Sequence, residues 1–277
     1  MTDSPDRLPA DAPVPVRIRV LGCSGSIAAG RRTTSFLLDD TVLIDAGTGV
    51  GDLTLEELAR IDDIVLTHAH LDHVLALPLL ADSILAARMR QPERGPLRVY
   101  ALPETLETLR AHLLNGQLWP DFTRLPSAAF PILQLRPCHV GDQCLVGRGA
   151  AARTLWVLPA THPVPACGFG IDTAQGWWIF TGDTGPNPAL WPMLRGRQIA
   201  HLVIETSFCN AQRDLADLSG HLVPSSLADE LAHLDGAVPV HVTHCKPSDA
   251  EVIDAELREL VTPHQIRVLA RGHLFTM

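Results

Sequence analysis

The chain has 277 residues, a formal charge of −9 and a hydrophobic share of 46%. That length suits one large domain or two small ones, and the apolar content allows a sizeable core and argues against wholesale disorder. The acidic balance argues against a basic face for a long polyanion such as tRNA, whereas a small anionic substrate needs only local positive charge.

Residues 1–15 are polar and proline-rich and read as a flexible tail, with no secretion signal; residues 16–277 read as a single domain. VRIRVLG (16–22) is a strand ending at glycine, and SFLLDD (35–40) and TVLIDAG (41–47) are two more with a short turn between. LTLEELARI (53–61) is helical and IDDIVLT (61–67) is a strand. LPLLADSILAARMR (77–90) is a helix with Pro78 in its first turn, where a missing N–H does no harm. PLRVYA (96–101) is a strand and ETLETLRAHLL (104–114) a helix. TLWVLPATH (154–162), GFGIDTA (168–174), GWWIFTGD (176–183) and HLVIETS (201–207) are strands. SSLADELAHL (225–234) is a helix, PVHVTH (239–244) a strand, AEVIDAELREL (250–260) a helix and IRVLA (266–270) a strand. Strands and helices alternate without repeat or linker.

The longest apolar stretch, Val74 to Ala87, is interrupted by Asp82 and Ser83 and is too short to cross a bilayer. The six cysteines (Cys23, Cys138, Cys144, Cys167, Cys209 and Cys245) are scattered, with no C-x-x-C pair. The expectation is a soluble, cytoplasmic protein with reduced thiols. Cys245, beside His244, is a candidate redox-sensitive thiol.

One stretch carries most of the chemistry. In THAHLDH (67–73), His68, His70, Asp72 and His73 fall directly after the apolar run Ile64-Val65-Leu66. His68 and His70 are two apart, so they share no helix face and belong on a loop at a strand end. Imidazoles with a carboxylate suit a borderline divalent ion such as Zn²⁺. Three more candidates end other strands: His162 after WVLPAT, Asp183 after WWIFTG and His244 after PVHVT. Each alone has a plainer reading as a turn or capping residue; together with the cluster they make two nearly complete coordination spheres.

This constellation resembles the metallo-β-lactamase superfamily over Val16 to the C-terminus. The resemblance implies an α+β fold, an αββα sandwich of two mixed sheets flanked by helices, with two divalent ions at the sandwich edge. It implies that His68, His70 and His162 hold one ion, that Asp72, His73 and His244 hold the other, and that Asp183 bridges them. Asp45 in VLIDAGTG matches the aspartate that supports a ligand histidine. Zn²⁺ is the first expectation for both ions, with Fe or Mn²⁺ as alternatives. Two adjacent cations make a nucleophile available from water at neutral pH, with Asp72 in the catalytic set.

Three further stretches resemble class II cyclic-nucleotide phosphodiesterases: LNGQLWPDF (114–122), ETSFCN (205–210) with SGHL (219–222), and THCKP (243–247). HAHLDH itself fits that class. Ala76 and Pro78 depart from it, standing where the class has glycine or serine and an aliphatic residue. The implied reaction is hydrolysis of a 3′,5′-cyclic nucleotide, cAMP or cGMP, to the 5′-monophosphate. A departing alkoxide needs a proton, and His221 beside Glu205 is the candidate donor; a helix cap and a strand end are the plainer readings. Lys246 is a candidate phosphate contact or a surface lysine, and Asn115, Trp119 and Phe122 are candidates for a nucleobase wall or for core under a loop. The partner expected is a small cyclic nucleotide, with no long nucleic acid and no membrane, and relatives suggest a homodimer. The competing functions are RNase Z-like tRNA 3′-end cleavage, β-lactam or thioester hydrolysis, and a non-enzymatic two-metal sensor. The tRNA reading needs a basic gripping arm, and the last two leave Glu205 and His221 without a proton to deliver.

Overall fold

The computed structural model describes residues 14–277, so residues 1–13 of the expected tail lie outside the described residues. The carbonyls of Val14 and Pro15 accept hydrogen bonds from Arg153. Strands β1 (Arg17–Gly22), β2 (Ser35–Leu38), β3 (Val42–Ile44), β4 (Asp63–Val65) and β5 (Leu97–Ala101) come first, and a small hairpin of β6 (Pro126–Ser127) and β7 (Phe130–Pro131) leads to β8 (Leu133–Pro137). Then follow β9 (Gln143–Val146), β10 (Arg153–Pro159), β11 (Cys167–Thr173), β12 (Gly176–Phe180), β13 (Ile199–Glu205), β14 (Pro239–Thr243), β15 (Gln265–Val268) and β16 (Leu274–Thr276). The helices are α1 (Leu55–Arg60), α2 (Leu71–Val74), α3 (Ala76–Arg90), α4 (Pro103–Thr108), α5 (Leu190–Leu194), α6 (Arg213–Ser219), α7 (Pro224–Leu231) and α8 (Ala250–Arg258).

Two seven-stranded sheets result, ordered β16-β1-β2-β3-β4-β5-β8 and β15-β14-β13-β12-β11-β10-β9. Both are mixed. β1–β3 and β9–β12 pair antiparallel, while β3–β4–β5–β8 and β12–β13–β14–β15 run parallel.

Strand alternation decides the layering. Leu43 and Ile64 face Leu77, Leu80 and Ile84 of α3, while their neighbours Val42, Ile44 and Val65 face the other sheet. There they meet Leu155, Val157, Phe169, Trp178 and Phe180, with the Phe36 ring tilted against Phe180 at 4.9 Å between ring centroids. On the far side, Leu202, Ile204, Val240 and Val242 pack under Leu227 and Leu231 of α7 and Ile253 and Leu257 of α8. Helix, sheet, sheet and helix therefore stack as four layers, as the αββα expectation required. Among the described residues no helix is long and apolar enough to cross a membrane.

Local signals explain the element ends. Thr54 caps α1 and Glu57 reaches back to the Thr54 N–H, a reciprocal cap that LTLEEL spells out in sequence. Pro78 does lie in the first turn of α3, but the helix does not run on from the ligand loop unbroken. Pro78 has no N–H to offer the turn before it, and the Ala76 N–H bonds instead to Ala46 O at 2.8 Å. The break leaves α2 as a separate turn carrying Asp72 and His73, tied to the exit of β3. Strands β8, β9 and β16 do not stand out in the sequence, because they are short and weakly patterned; β16 is defined by its pairing with β1, Arg17 opposite Thr276.

Upstream of the strand ends on β13 and β14 lies a second group of histidines. His201 Nδ1 sits 3.1 Å from His241 Nε2, and the His241 ring is 5.5 Å from that of His273. Burial, then the charges of His201, His273 and Arg267, push His241 down to about 4. The unfolded chain, with an ordinary histidine, takes up a proton first, so this contribution to stability is present above pH 6.5 and is lost as pH falls towards 4. Denaturant unfolding at pH 7.5 and pH 5 is expected to show the parental chain losing about 2 kcal/mol more than His241→Gln on acidification. Equal losses would exclude His241 as the source.

Candidate metal centre

All the candidate ligands come from the same edge of the sandwich, at the ends of β4, β10, β12 and β14. His68 and His70 leave β4 in an extended loop, Asp72 and His73 occupy α2, His162 follows β10, Asp183 follows β12 and His244 follows β14. Strands that run in the same direction end on one side, which is why residues far apart in sequence converge there. Gly182 supports this with φ +66°, and a Cβ on it would sit 2.7 Å from Cys167 O, so the turn into Asp183 requires glycine. His244 and Asp45 also hold positive φ, at 64° and 57°, so each carries backbone strain at this edge.

The donor atoms fall into groups within 4.8 Å of one another: His68, His70 and His162; His68, His73 and Asp183; Asp72, His73 and His244. Asp183 Oδ2 lies 3.2 Å from His244 Nε2, 3.4 Å from His73 Nε2 and 3.8 Å from His68 Nε2, between the groups. Asp72 Oδ2 is 3.1 Å from His244 Nε2 and, alone in its group with His73 and His244, is partly open to solvent.

Hydrogen bonds behind the ligands fix which ring nitrogen faces inward. His73 Nδ1 donates to Asp45 Oδ2 at 2.8 Å, His68 Nδ1 to Thr67 Oγ1 at 3.0 Å, His162 Nδ1 to Gly220 O at 3.0 Å and His244 Nδ1 to Ser207 Oγ at 2.8 Å. Thr67 Oγ1 in turn donates to Asp45 Oδ2 at 2.9 Å. With Nδ1 protonated, each Nε2 presents a lone pair. Two such atoms, of His73 and His244, stand 3.3 Å apart, and His162 Nε2 is 3.2 Å from His70 Nδ1. His68 Nε2 is buried without any hydrogen-bond partner. Lone pairs converging on carboxylate oxygens repel one another unless positive charge lies between them, so this donor set fits divalent cations. His73 shows the same demand: against its complete burial, Asp183 and Asp45 hold its imidazole well above the usual range.

Beside this cluster sits a second constellation. His221 Nδ1 is 2.6 Å from Glu205 Oε1, and its ring lies 5.1 Å from that of His162 and stacks on that of His244 at 5.4 Å. Glu205 is wholly buried and also accepts from Thr184 N, Ser207 Oγ and Leu222 N. Burial alone would lower His221, but the Glu205 carboxylate outweighs it and the imidazole is raised. His162, Asp183 and His221 also form a group within 4.8 Å, so His221 is near enough to serve as a donor atom itself.

The remaining candidates are placed differently. Lys246 Nζ donates to Gly25 O at 3.1 Å, lies 5.5 Å from the Phe208 ring and opposes positive charge on His221, so it borders the site. Asn115 closes its own turn: Oδ1 accepts from the N–H groups of Gln117 and Leu118, and Nδ2 donates to Ala111 O. Trp119 packs against the core cluster under α3, and Phe122 is buried within it. Among the described residues no hydrogen bond or ring contact joins Asn115, Trp119 or Phe122 to the donor cluster. Burial pushes the Cys245 thiol up to about 12, so it is not a thiolate at neutral pH. Sequence reasoning passed over Thr67, Ser207 and the Gly220 carbonyl; the two hydroxyls lie inside quoted motifs, whereas nothing local marks a backbone oxygen.

The Metallo-beta-lactamase superfamily model matches residues 29–244. The chain belongs to this superfamily. Within it, a probable 3′,5′-cyclic-nucleotide phosphodiesterase of Yersinia pestis is 27% identical over 82% of this chain and 77% of that protein. A ribonuclease Z of Pyrobaculum calidifontis is also 27% identical, over 78% of this chain and 81% of its own length. Among solved structures, unliganded yeast PDE1 superposes with a TM-score of 0.74 at 20% identity, covering 94% of this chain and 99% of that one, which is a likeness of fold.

Asp45 supports two candidate ligands at once, directly through His73 and through Thr67 to His68. Asp45→Asn keeps a residue that tolerates positive φ but removes the charge. The variant is expected to bind Zn²⁺ 10- to 100-fold more weakly, read by elemental analysis after graded chelator dialysis. Parental retention would show that the Asp45 carboxylate does not sustain the ligands.

Proposed function

We propose that this protein is a metal-dependent phosphodiesterase that hydrolyses 3′,5′-cyclic nucleotides to 5′-monophosphates. The observation that carries the reading is the buried Glu205–His221 pair, 2.6 Å apart and against the ligand histidines. Hydrolysis of a phosphodiester releases an alkoxide that must be protonated, and this pair has the composition to do it. The similarity to a probable cyclic-nucleotide phosphodiesterase over most of the chain supports the same choice.

In this reading His68, His70 and His162 would hold one divalent ion and Asp72, His73 and His244 a second, with the Asp183 carboxylate lying between the two groups. When bound, the ions supply Lewis acidity and a nucleophile from water at neutral pH. The chain's own residues do the rest. Glu205 accepts the Nδ1 proton of His221 and fixes the ring, leaving Nε2 to pass its proton to the departing 3′-oxygen. The Thr184 and Leu222 N–H groups donate to Glu205 and hold its carboxylate aimed at the His221 ring. Lys246 offers positive charge for a non-bridging phosphate oxygen, with its remaining protons after the bond to Gly25. Zn²⁺ is the first candidate metal on donor type, with Fe and Mn²⁺ next.

A second reading, RNase Z-like cleavage of tRNA 3′ ends, is favoured by the similarity to a ribonuclease Z at the same identity. The net charge of −9 weighs against it, since tRNA binding draws on many cationic contacts. The deciding assay incubates the metal-loaded protein with 3′,5′-cAMP, with and without chelator, and separates products by chromatography. Chelator-sensitive 5′-AMP is the expected result. No product from cAMP or cGMP, together with cleavage of pre-tRNA, would overturn the proposal in favour of the second reading.

His221→Ala separates a proton donor from a ligand. It is expected to lose turnover by about 10²- to 10⁴-fold while keeping the parental metal content. Loss of an ion would make His221 a ligand instead, and unchanged turnover would remove it from the reaction.

A further inference from the structure

Ser207 stands at the junction of the two constellations. Its Oγ is 2.8 Å from His244 Nδ1, 3.1 Å from Glu205 Oε2 and 3.1 Å from His221 Nδ1, and the residue is fully buried. We propose that Ser207 is a positioning residue that joins the ligand His244 to the Glu205–His221 pair, so that ion retention and proton delivery depend on one hydroxyl.

Donor counting sets the direction of the bonds. His244 Nε2 faces Asp72, Asp183 and His73, so a ring that ligates through Nε2 carries its proton on Nδ1 and donates it to Ser207 Oγ. The hydroxyl has a single proton of its own. Glu205 Oε2, a carboxylate oxygen with a free lone pair, takes it in preference to His221 Nδ1, whose proton is already held at 2.6 Å by Glu205 Oε1. The chain therefore runs from His244 through Ser207 to Glu205, and from His221 to the other oxygen of the same carboxylate.

The first sheet repeats this pattern. There Asp45 accepts from Thr67, and Thr67 accepts from His68 Nδ1. Carboxylate, hydroxyl and ligand imidazole are thus arrayed once on each sheet, Asp45–Thr67–His68 from β3 and β4, and Glu205–Ser207–His244 from β13 and β14. A carboxylate behind a ligand histidine raises its basicity and fixes its orientation, and a hydroxyl between them passes on both effects. The difference lies at the second carboxylate: Asp45 turns its other contact to His73, another ligand, whereas Glu205 turns its other oxygen to His221. Only the second array couples a ligand to the residue proposed to deliver the proton.

The proposal rests on the phosphodiesterase reading for His221's part, but its ion-retention arm is read without any substrate, so the two fail separately. Zn²⁺-loaded parental protein, Ser207→Ala, Ser207→Thr, Glu205→Gln and the Ser207→Ala/Glu205→Gln double variant are titrated with a metal-chelating indicator. Turnover is then measured on the fully loaded forms. Ser207→Ala is expected to release one ion per chain 10- to 100-fold more readily, and to lose kcat with little change in KM. Ser207→Thr keeps the hydroxyl and is expected to restore retention. Glu205→Gln is expected to weaken retention in the parental background and to add nothing once Ser207 is alanine. Parental retention in Ser207→Ala would overturn the proposal, as would a Glu205→Gln effect that persists undiminished in the double variant. If the threonine variant does not fold, the alanine and double variants still decide.

Discussion

The structure depends on one constraint at the sandwich edge: imidazole lone pairs and two carboxylates are forced into a space that positive charge must fill. His68, His73 and His244 are buried, and each points Nε2 at Asp183. That arrangement is intrinsically repulsive between like lone pairs. It holds because each ring is pinned from behind through Nδ1, by Asp45, Thr67 or Ser207. The rigid sheets supply the pins, and the strained residues Asp45 and His244 absorb the geometry that results. Fold and chemistry are therefore coupled through the tautomer of each histidine.

The two sheets contribute unequally. The first supplies a local cluster, since His68, His70, Asp72 and His73 lie on one loop and one turn after β4. The second supplies single residues from three strand ends, and adds the Glu205–His221 pair. A site needing only ions would be complete with the first set and the matching strand-end ligands. The buried Glu205, with four donors around its two oxygens, is more than ligation requires. It favours a reaction in which a proton must be delivered, which separates phosphodiester hydrolysis from chemistry with an easier leaving group.

Regions chosen from motif resemblance alone divide in the same way. Lys246 borders the donor cluster because it follows His244 on the same strand exit. LNGQLWPDF instead folds into a self-contained turn, with Asn115 closing it and Trp119 and Phe122 packed towards the core under α3. An aromatic beside a turn is read in sequence the same way whether it faces a ligand or a core, because both environments favour the same side chains.

Much of the fold was legible because its signals are local. The apolar run in HLVIETS placed β13, the pattern of LTLEELARI placed α1, and H-x-H-x-D-H gathered four candidate ligands within six residues. His162, Asp183 and His244 were legible as the first strong ligand types after apolar strands. Strand β16 was not, since three residues have no periodicity to read until β1 pairs with them. Nor was the role of Ser207, which meets His244 across 37 positions, or of the Gly220 carbonyl, 58 positions from His162. The sequence by itself determined the order of strands and helices and the candidate ligands, because strand periodicity and side-chain chemistry are properties of short stretches. Only the tertiary structure decided which nitrogen of each histidine faces inward and which hydroxyl links the ligands to Glu205, because hydrogen bonds between distant strands exist only once the two sheets have packed.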